Sequence, residues 1–206
     1  MGENAAQTAA MSGSPDIATA LARARRPPWR GRLGEAALVR AAQRGSEEAV
    51  EELFALHWSG AHRAALLVTG DRAAAEDIAQ EAFLSALRAL PGFDLRRPLR
   101  PWLHRIVVNR AIDWSRARSL RREVVADAVG EAAAPEDEPA APLGVELAAA
   151  LMALGPEQRA VVVMRYVLEL TPGEIGVALD LPRGTVNSRL RRGLDALGDA
   201  LGERAP

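Results

Sequence analysis

Several residue types are missing or scarce in this chain of 206 residues. It contains no cysteine, so disulfide bonds and thiolate metal sites are excluded. It contains no lysine either, because all 26 basic residues are arginine. Aromatic residues make up only 4% of the sequence, so any core must be built from leucine, valine, isoleucine and alanine. This composition favours helices.

Long apolar segments are also missing. No apolar run approaches the roughly 18 residues of a membrane span, and the N-terminus lacks the apolar stretch of a secretion signal. We therefore predict a cytoplasmic protein with no membrane insertion. Residues 17–32 are rich in arginine, and the Pro27-Pro28 pair interrupts them. They predict a disordered basic arm.

Catalytic signals are weak. His57 and His62 are five residues apart, a spacing that does not place two ligands on one helical face. No glycine-rich phosphate loop follows a strand, and no strand is evident in the pattern. His104 lies close to Trp102 in the sequence. A structural role, or a position near DNA, explains it better than a catalytic role. The sequence predicts no catalytic residue, no metal and no cofactor.

Charge is distributed unevenly, although the net charge is only -1. Residues 88–122 hold ten arginines and two acids, whereas residues 123–146 hold seven acids, three prolines and no arginine. The second stretch also lacks apolar periodicity, which predicts a flexible acidic linker. We therefore divide the chain into a basic tail (1–34), a first domain (35–122), the linker (123–146) and a second domain (147–206). The expected fold class is all-α, with two small helical domains.

Local signals mark several helix ends. Gly70 is a predicted C-terminal cap and Asp71 a predicted N-cap. Thr171, followed by Pro172 and by Glu174 at the third helical position, predicts a capping box. A further helix is expected from near Pro101 to about Arg122.

The stretch "TPGEIGVALDLPRGTVNSRLRR", residues 171–192, has the length of a helix-turn-helix. Its second helix carries an apolar stripe of Val186, Leu190, Leu194, Leu197 and Leu201. Polar side chains suited to DNA bases and phosphates occupy its other faces: Arg183, Gly184, Thr185, Asn187, Ser188, Arg189, Arg191 and Arg192. The alternative is a surface helix of an ordinary bundle with a solvated basic face.

A second basic surface is expected on the helix from 101 to 122. Arg105, Asn109, Asp113 and Arg116 are spaced by four, four and three residues, so they share a face. Arg118, Arg121 and Arg122 continue the charge. Such a surface could bind nucleic acid through asparagine on base edges and arginine on phosphates. The alternative is again a solvated face, with Trp102 and Trp114 serving as core residues.

An acidic surface is expected on the helix that precedes it. Its members are Asp71, Glu76, Asp77, Gln80 and Glu81. Acids repel DNA and favour a basic protein partner. A solvated helical face is the alternative here as well.

These three features, in this order, resemble the bacterial extracytoplasmic-function sigma factors over about residues 35–122 and 147–200. "AEDIAQEAFLSAL" is similar to the helix of that family that docks on the polymerase clamp. "RPWLHRIVVNRAIDWSRARSLRRE" is similar to its promoter-melting and minus-ten segment. "LGPEQRAVVVMRYVLELTPGEIGVALDLPRGTVNSRLRRGLDAL" is similar to its minus-thirty-five helix-turn-helix.

The resemblance implies a subunit that binds core RNA polymerase and promoter DNA, and that an anti-sigma protein holds inactive. It also assigns roles. The acidic residues above would contact polymerase, and the polar residues listed for the helix-turn-helix would contact the minus-thirty-five duplex. Asn109, Arg110, Asp113, Arg116 and the nearby arginines would contact the minus-ten DNA. The chain departs from the family at Thr171-Pro172-Gly173, where an aromatic and an acid are usual. The basic tail has no counterpart in the core pattern.

Other functions stay open at this point. The first is a helix-turn-helix regulator that binds an operator as a dimer without polymerase. An adaptor that has lost DNA binding is less consistent with the arginine pattern, and a helical enzyme is less consistent with the lack of a credible catalytic cluster. For a sigma factor, each basic surface alone should bind DNA weakly, and polymerase would hold both at the promoter. Glu136, Asp137 and Glu138 of the linker could compete for the basic faces.

Overall fold

A computed structural model of the chain describes residues 34–129 and 144–202, and the regular structure in both ranges is helical. The predicted all-α fold is confirmed. The basic arm and residues 130–143 of the expected linker lie outside the described residues. Among the described helices, none is both long and apolar enough to cross a membrane.

Residues 34–129 form four α-helices and one short 3-10 helix. They are α1 (Glu35–Gln43), α2 (Glu47–Thr69), α3 (Arg72–Ala89), the 3-10 helix (Leu90–Gly92) and α4 (Leu99–Val129). The predicted caps are confirmed: Gly70 ends α2 with a left-handed φ of 67°, and the Asp71 side chain accepts a hydrogen bond from the Ala74 amide. These two caps set the turn between α2 and α3.

Helix α4 is longer than the sequence analysis predicted. It continues to Val129, so residues 123–129 are helical and the prediction of a flexible linker is wrong for them. Residues 123–129 contain neither glycine nor proline, and Gly130 follows the last helical residue directly. Acidic composition alone was therefore a poor guide to where the helix ends.

Residues 144–202 form four helices, and the last two make up the helix-turn-helix. They are α5 (Val145–Ala153), α6 (Pro156–Tyr166), α7 (Pro172–Leu179) and α8 (Arg183–Ala200). The capping box at Thr171 and Glu174 is present as predicted. The turn between α7 and α8 passes through Asp180, which adopts a left-handed φ of 52°. The Leu181 amide then donates to the Gly176 carbonyl at 2.8 Å.

The two domains pack against each other, which the sequence analysis did not predict. Helix α6 packs on α2 and α4 of the first domain as well as on α8 of its own, and α7 packs on α4. Buried residues of both domains form one apolar core, which includes Ala64, Val68, Ala111, Leu151 and Met164. The two predicted domains are therefore present, and in this structure they share one core.

Candidate functional site

The basic face of α8 is open to solvent. Val186, Leu190 and Leu197 are buried and fix the helix on its domain, while Leu194 and Leu201 of the predicted stripe are half-buried. The exposed side of the helix carries Arg183, Gly184, Asn187, Ser188, Arg191 and Arg192, with Thr185 and Arg189 half-buried beside them. Six of the eight residues predicted for this surface are therefore exposed.

Contacts within the α8 surface are weak, so most of its donors remain available. Arg191 Nε lies 3.9 Å from Asp195 Oδ2, and the Arg191 side chain is 86% exposed. Ser188 Oγ donates to the Thr185 carbonyl at 2.9 Å, and Arg192 Nε donates to the Ser188 carbonyl at 3.3 Å. An exposed ion pair of this length contributes little to the stability of the fold. The Arg191 guanidinium is therefore available to an external phosphate or base.

The outer face of α4 is only partly open. Arg105, Asp113, Arg116 and Arg121 are exposed, whereas Asn109, Arg110 and Arg118 are half-buried. The Arg122 side chain lies outside the part of the chain that the structure describes. Trp102 and Trp114 are partly buried and pack on the core, and the Arg118 guanidinium lies 5.0 Å from the centre of the Trp114 ring.

Two arginines of the predicted DNA-binding face contact acids of the predicted polymerase-binding face. Arg110 Nη1 lies 2.7 Å from Glu81 Oε2, and Arg110 Nη2 donates to Ser85 Oγ at 2.7 Å. Arg118 forms a short ion pair with Asp71. These partners are 29 and 47 residues apart, so sequence spacing gave no signal for them.

The acidic face of α3 is exposed over two helical turns. Glu76, Asp77, Gln80 and Glu81 face solvent, and Ile78, Ala82 and Phe83 on the other side are buried. The sequence analysis missed Leu84, which is 53% exposed and lies one turn beyond Gln80 and Glu81 on the same face. Leu84 follows Gln80 by four residues and Glu81 by three, and this spacing could have placed it on their face of the helix.

Asp71 differs from the other acids of this group because it already has structural partners. It caps α3 through the Ala74 amide and pairs with Arg118, and its side chain is 19% exposed. Burial raises the pKa of the Asp71 carboxyl, but the hydrogen bonds from Ala74 and Arg118 outweigh it, so the pKa lies below its ordinary value. Asp71 is therefore charged at neutral pH and positions the start of α3.

The buried histidines are structural. His104 is 2% exposed, and burial lowers its pKa to about 3, so the ring is neutral at physiological pH. His57 Nε2 lies 3.0 Å from Glu35 Oε1 and joins α2 to α1. Within the described ranges, no group of acids and histidines is arranged to hold a metal ion.

The first and second domains meet at a cleft beside the start of α4. Its volume is about 420 Å³, and its walls include Arg97, Trp102 and Arg105 on one side and Glu174 and Val177 on the other. Farther along α4, the Arg116 guanidinium binds Glu157 at 2.6 Å and Asn109 Nδ2 donates to the Ala178 carbonyl at 3.3 Å. The second domain therefore covers part of the face that the sequence assigns to DNA.

Comparison with known proteins identifies both domains. Residues 47–121 match the family model of Sigma-70 region 2, and residues 144–197 match that of Sigma-70, region 4. The ECF RNA polymerase sigma factor SigW of Bacillus subtilis (strain 168) is 30% identical over 179 residues, which cover 77% of this chain and 92% of the relative.

Solved structures have the same fold. The structure of CnrH in complex with the cytosolic domain of CnrY aligns with a TM-score of 0.62 and 26% identity, covering 83% of this chain and 99% of that one. The sigma factor RpoE, in complex with the anti-sigma factor NepR from Bartonella quintana, aligns with a TM-score of 0.62 and 20% identity. This second alignment covers 75% of this chain and 98% of that one, and it shows the fold.

The matched regions and the exposed surfaces occur in the same order along the chain. A dimeric operator-binding regulator is not favoured, because it would need only the helix-turn-helix and not the first domain. The chain belongs to the extracytoplasmic-function family of RNA polymerase sigma factors, the subunits that direct transcription initiation.

Proposed function

We propose that three surfaces of the chain divide the work of initiation. The outer face of α3 docks on core RNA polymerase, the outer face of α4 engages the minus-ten DNA as it opens, and α8 docks on the minus-thirty-five duplex. The observation that carries this assignment is the separation of charge: exposed acids lie on α3 and exposed arginines on α8, although the net charge is only -1. No catalytic step is assigned to the chain, which is not an enzyme.

The α3 surface has the composition of a protein-docking site. Its centre is Asp77, Gln80 and Leu84, all exposed, so polar groups surround an apolar side chain. Charge complementarity with a basic partner increases the association rate and excludes partners of the same sign. DNA has that same sign, so this face is suited to polymerase and unsuited to the promoter.

The α8 surface has the geometry of a recognition helix. The N-terminal residues of such a helix approach base edges in the major groove, and arginine and asparagine make paired hydrogen bonds there. Arg183 and Asn187 lie in the first turns, and Arg191 and Arg192 lie farther along, where phosphates pass. Gly184 has no atom within 4 Å of a Cβ position, so the backbone is open at this point.

The α4 surface is assigned to the minus-ten element through Arg105, Asn109, Arg110, Asp113 and Arg116, continued by Arg118, Arg121 and Arg122. Few free positive charges mean weak binding to DNA, because affinity depends on the number of neutralised phosphates. Polymerase that holds both domains on one promoter raises their effective concentration. Promoter binding by this chain should then depend on polymerase, and the chain should work in the cytoplasm.

An anti-sigma protein is the expected negative partner. The proposal is supported by the solved structures of similar fold, in which CnrH is in complex with the cytosolic domain of CnrY and RpoE is in complex with the anti-sigma factor NepR. Such a partner would cover the α3 face, the DNA-binding faces or both.

Reconstituted transcription tests the proposed function. Purified chain is mixed with bacterial core polymerase and a library of genomic promoter fragments, and the RNA start sites are sequenced. We expect initiation at a defined set of promoters that share two elements. Tight binding of the isolated chain to one duplex, with no effect on polymerase, would instead support an operator-binding regulator.

A further inference from the structure

We infer that α1 positions the loop between the 3-10 helix and α4, residues 93–98, so that this loop adds Arg97 to the minus-ten face. The inference rests on the proposed role of α4 and deepens it, because α1 becomes a positioning element and Arg97 a further DNA contact. Helix α1 precedes the region matched to Sigma-70 region 2, which begins at residue 47, so that match assigns it no role.

Gln43, the last residue of α1, holds the start of the loop. Its Nε2 donates to the Leu90 carbonyl at 2.9 Å and to the Phe93 carbonyl at 3.0 Å. The Leu90 carbonyl also accepts from the Phe93 amide, whereas Gln43 is the one donor to the Phe93 carbonyl among the described residues. Because a side-chain amide nitrogen carries two hydrogens, a single residue can serve both carbonyls.

Glu35, the first residue of α1, holds the end of the loop. Its Oε2 accepts from the Leu99 amide at 3.3 Å, and its Oε1 lies 3.0 Å from His57 Nε2. The hydrogen bond from His57 lowers the pKa of the Glu35 carboxyl although burial raises it, so the carboxylate stays charged at neutral pH. Glu35 and Gln43 lie at opposite ends of α1, about 12 Å apart along the helix axis. The helix therefore spans the loop from one end to the other.

The inner side of the loop packs on the same helix. Leu38 and Val39 of α1 are buried in a core cluster that also holds residues at both ends of the loop: Leu90, Phe93 and Leu99. This cluster contains no residue of the second domain. Apolar packing and hydrogen bonds from α1 thus act on the same short segment.

The outer side of the loop carries positive charge. Arg96 and Arg97 are exposed, and Arg96 Nε lies 3.0 Å from Asp94 Oδ1. Within the described ranges, Arg97 forms no ion pair, and it lines the cleft beside the start of α4 together with Arg105. Arg105 belongs to the proposed minus-ten face, so the loop continues that face and Arg97 brings it an available cation for phosphate.

A loop that is ordered before it binds loses less entropy on binding. Helix α1 can therefore increase promoter affinity without touching DNA, since the half-buried Glu35 and Gln43 bond to the backbone at the two ends of the loop. A helix that only stabilised the fold would instead affect polymerase binding and promoter binding alike.

Loop mobility tests the first step. The chain has no cysteine, so Arg96→Cys in the full-length chain accepts one nitroxide spin label, at a side chain that is 90% exposed. Gln43→Met keeps the length of the side chain and removes both donated hydrogen bonds. We expect it to increase the mobility of the label in electron paramagnetic resonance spectra, whereas Arg40→Ala, at an exposed position of α1, should leave the spectra unchanged.

Gln43→Glu is the second variant and serves if the methionine variant does not fold. It has nearly the same shape, but its carboxylate faces the two carbonyls as an acceptor and cannot donate to them. The label should again become more mobile. Spectra equal to those of the wild-type sequence at position 43 would overturn the inference.

Promoter binding by the holoenzyme, the chain bound to core polymerase, tests the second step. On a promoter with an unpaired minus-ten segment, Gln43→Met should weaken affinity roughly threefold to tenfold, the effect of one or two hydrogen bonds. Arg97→Ala should weaken it roughly tenfold, as the loss of one phosphate or base contact does. The affinity of both variants for core polymerase should match that of the wild-type chain. An equal loss there would show general damage to the fold and overturn the inference.

The double variant shows whether α1 acts through Arg97. Residues that act through one another are not additive, so Gln43→Met should weaken promoter binding less than about twofold when Arg97 is already alanine. Arg40→Ala should have no effect in either background. Additive losses from Gln43→Met and Arg97→Ala would show that α1 acts by another route, and the inference would fail.

The outcomes separate the two proposals. If the wild-type holoenzyme binds no promoter, the proposed function fails, and the hold of α1 on the loop is still judged from the label spectra. If the holoenzyme binds promoters and Gln43→Met changes the spectra but not the promoter affinity, α1 orders the loop without positioning a DNA contact. That result overturns the inference and leaves the proposed function intact.

Discussion

Individual charges in this chain divide into those that have an internal partner and those that face solvent. Glu81 and Asp71 on or before α3 pair with Arg110 and Arg118 on α4, which ties the two helices together. Asp77 on α3 and Arg191 on α8 are exposed, and Arg191 has only a distant acid at 3.9 Å. The exposed members are therefore the ones whose replacement should change binding rather than folding.

Asp77→Arg should lower the affinity for core polymerase at least tenfold, because it puts a like charge against the basic surface that this face is proposed to meet. The free energy of unfolding should change by less than about 0.5 kcal/mol, as is usual for an exposed residue. Fluorescence anisotropy of labelled chain against core polymerase measures the affinity. Asp199→Arg, an exposed site near the end of α8, makes the same charge change and should leave it unaltered.

Arg191→Ala should weaken promoter binding by the holoenzyme roughly tenfold, which corresponds to the loss of about one base or phosphate contact. Core affinity should stay the same, since α8 is not part of the α3 surface. A footprinting titration at fixed salt measures the first effect. Arg40→Ala removes an exposed arginine from α1 and serves as the control; an equal loss there would point to general charge rather than to α8.

His104 should make the folded state sensitive to acid. Its pKa falls from 6.5 to about 3 because it is buried. Below pH 6.5 the His104 side chain binds a proton in the unfolded chain and not in the folded chain. The free energy of unfolding should therefore decrease as the pH is lowered, by up to about 1.4 kcal/mol per pH unit. In His104→Gln this part of the slope between pH 6.5 and 5 should disappear, as urea titrations can measure. Identical slopes would show that His104 does not carry the effect.

At the scale of helices, the sequence predicted the boundaries that depend on local chemistry. The caps at Asp71 and Thr171 were predicted because each bonds to an amide three residues away. The end of α4 was missed, since acidic residues can extend a helix as readily as they form a linker. The α3 and α8 faces were also predictable, because helical periodicity decides which side is buried.

Two glycines of the helix-turn-helix should respond oppositely to alanine. A Cβ on Gly176 would lie 2.7 Å from the Leu181 carbonyl oxygen, so Gly176→Ala must push α7 and α8 apart. We expect a loss of about 1–3 kcal/mol in the free energy of unfolding. Gly184→Ala meets no atom within 4 Å and should stabilise α8 by about 0.5–1 kcal/mol. Thermal unfolding of both variants checks the opposite signs.

At the scale of the whole molecule, the packing of the domains was not predicted. Residues Ala160 to Met164 are five consecutive apolar residues, all of them buried in α6. A helix that is apolar all round needs partners on all sides, and that was the signal for a second packing surface. The pair Arg116–Glu157 spans 41 residues, and no local rule could have predicted it.

Because the domains share a core, they should unfold together. Trp58, Trp102 and Trp114 lie in the first domain, so tryptophan fluorescence reports mainly on that half. Met164→Ala in the second domain should lower the free energy of unfolding by about 2–5 kcal/mol, and the fluorescence transition should shift with the helical signal in circular dichroism. A fluorescence midpoint that does not move would show that the halves unfold independently.

The length of α4 limits how far the two halves can travel from each other. Between Val129 and Gly144 lie fourteen residues, whose fully extended backbone covers at most about 50 Å. A helical residue advances about 1.5 Å, compared with about 3.5 Å when stretched. Unwinding residues 123–129 would thus increase the maximum distance between the two domains by roughly 14 Å. The last two turns of α4 could therefore lengthen the connection when the two domains contact separate promoter elements.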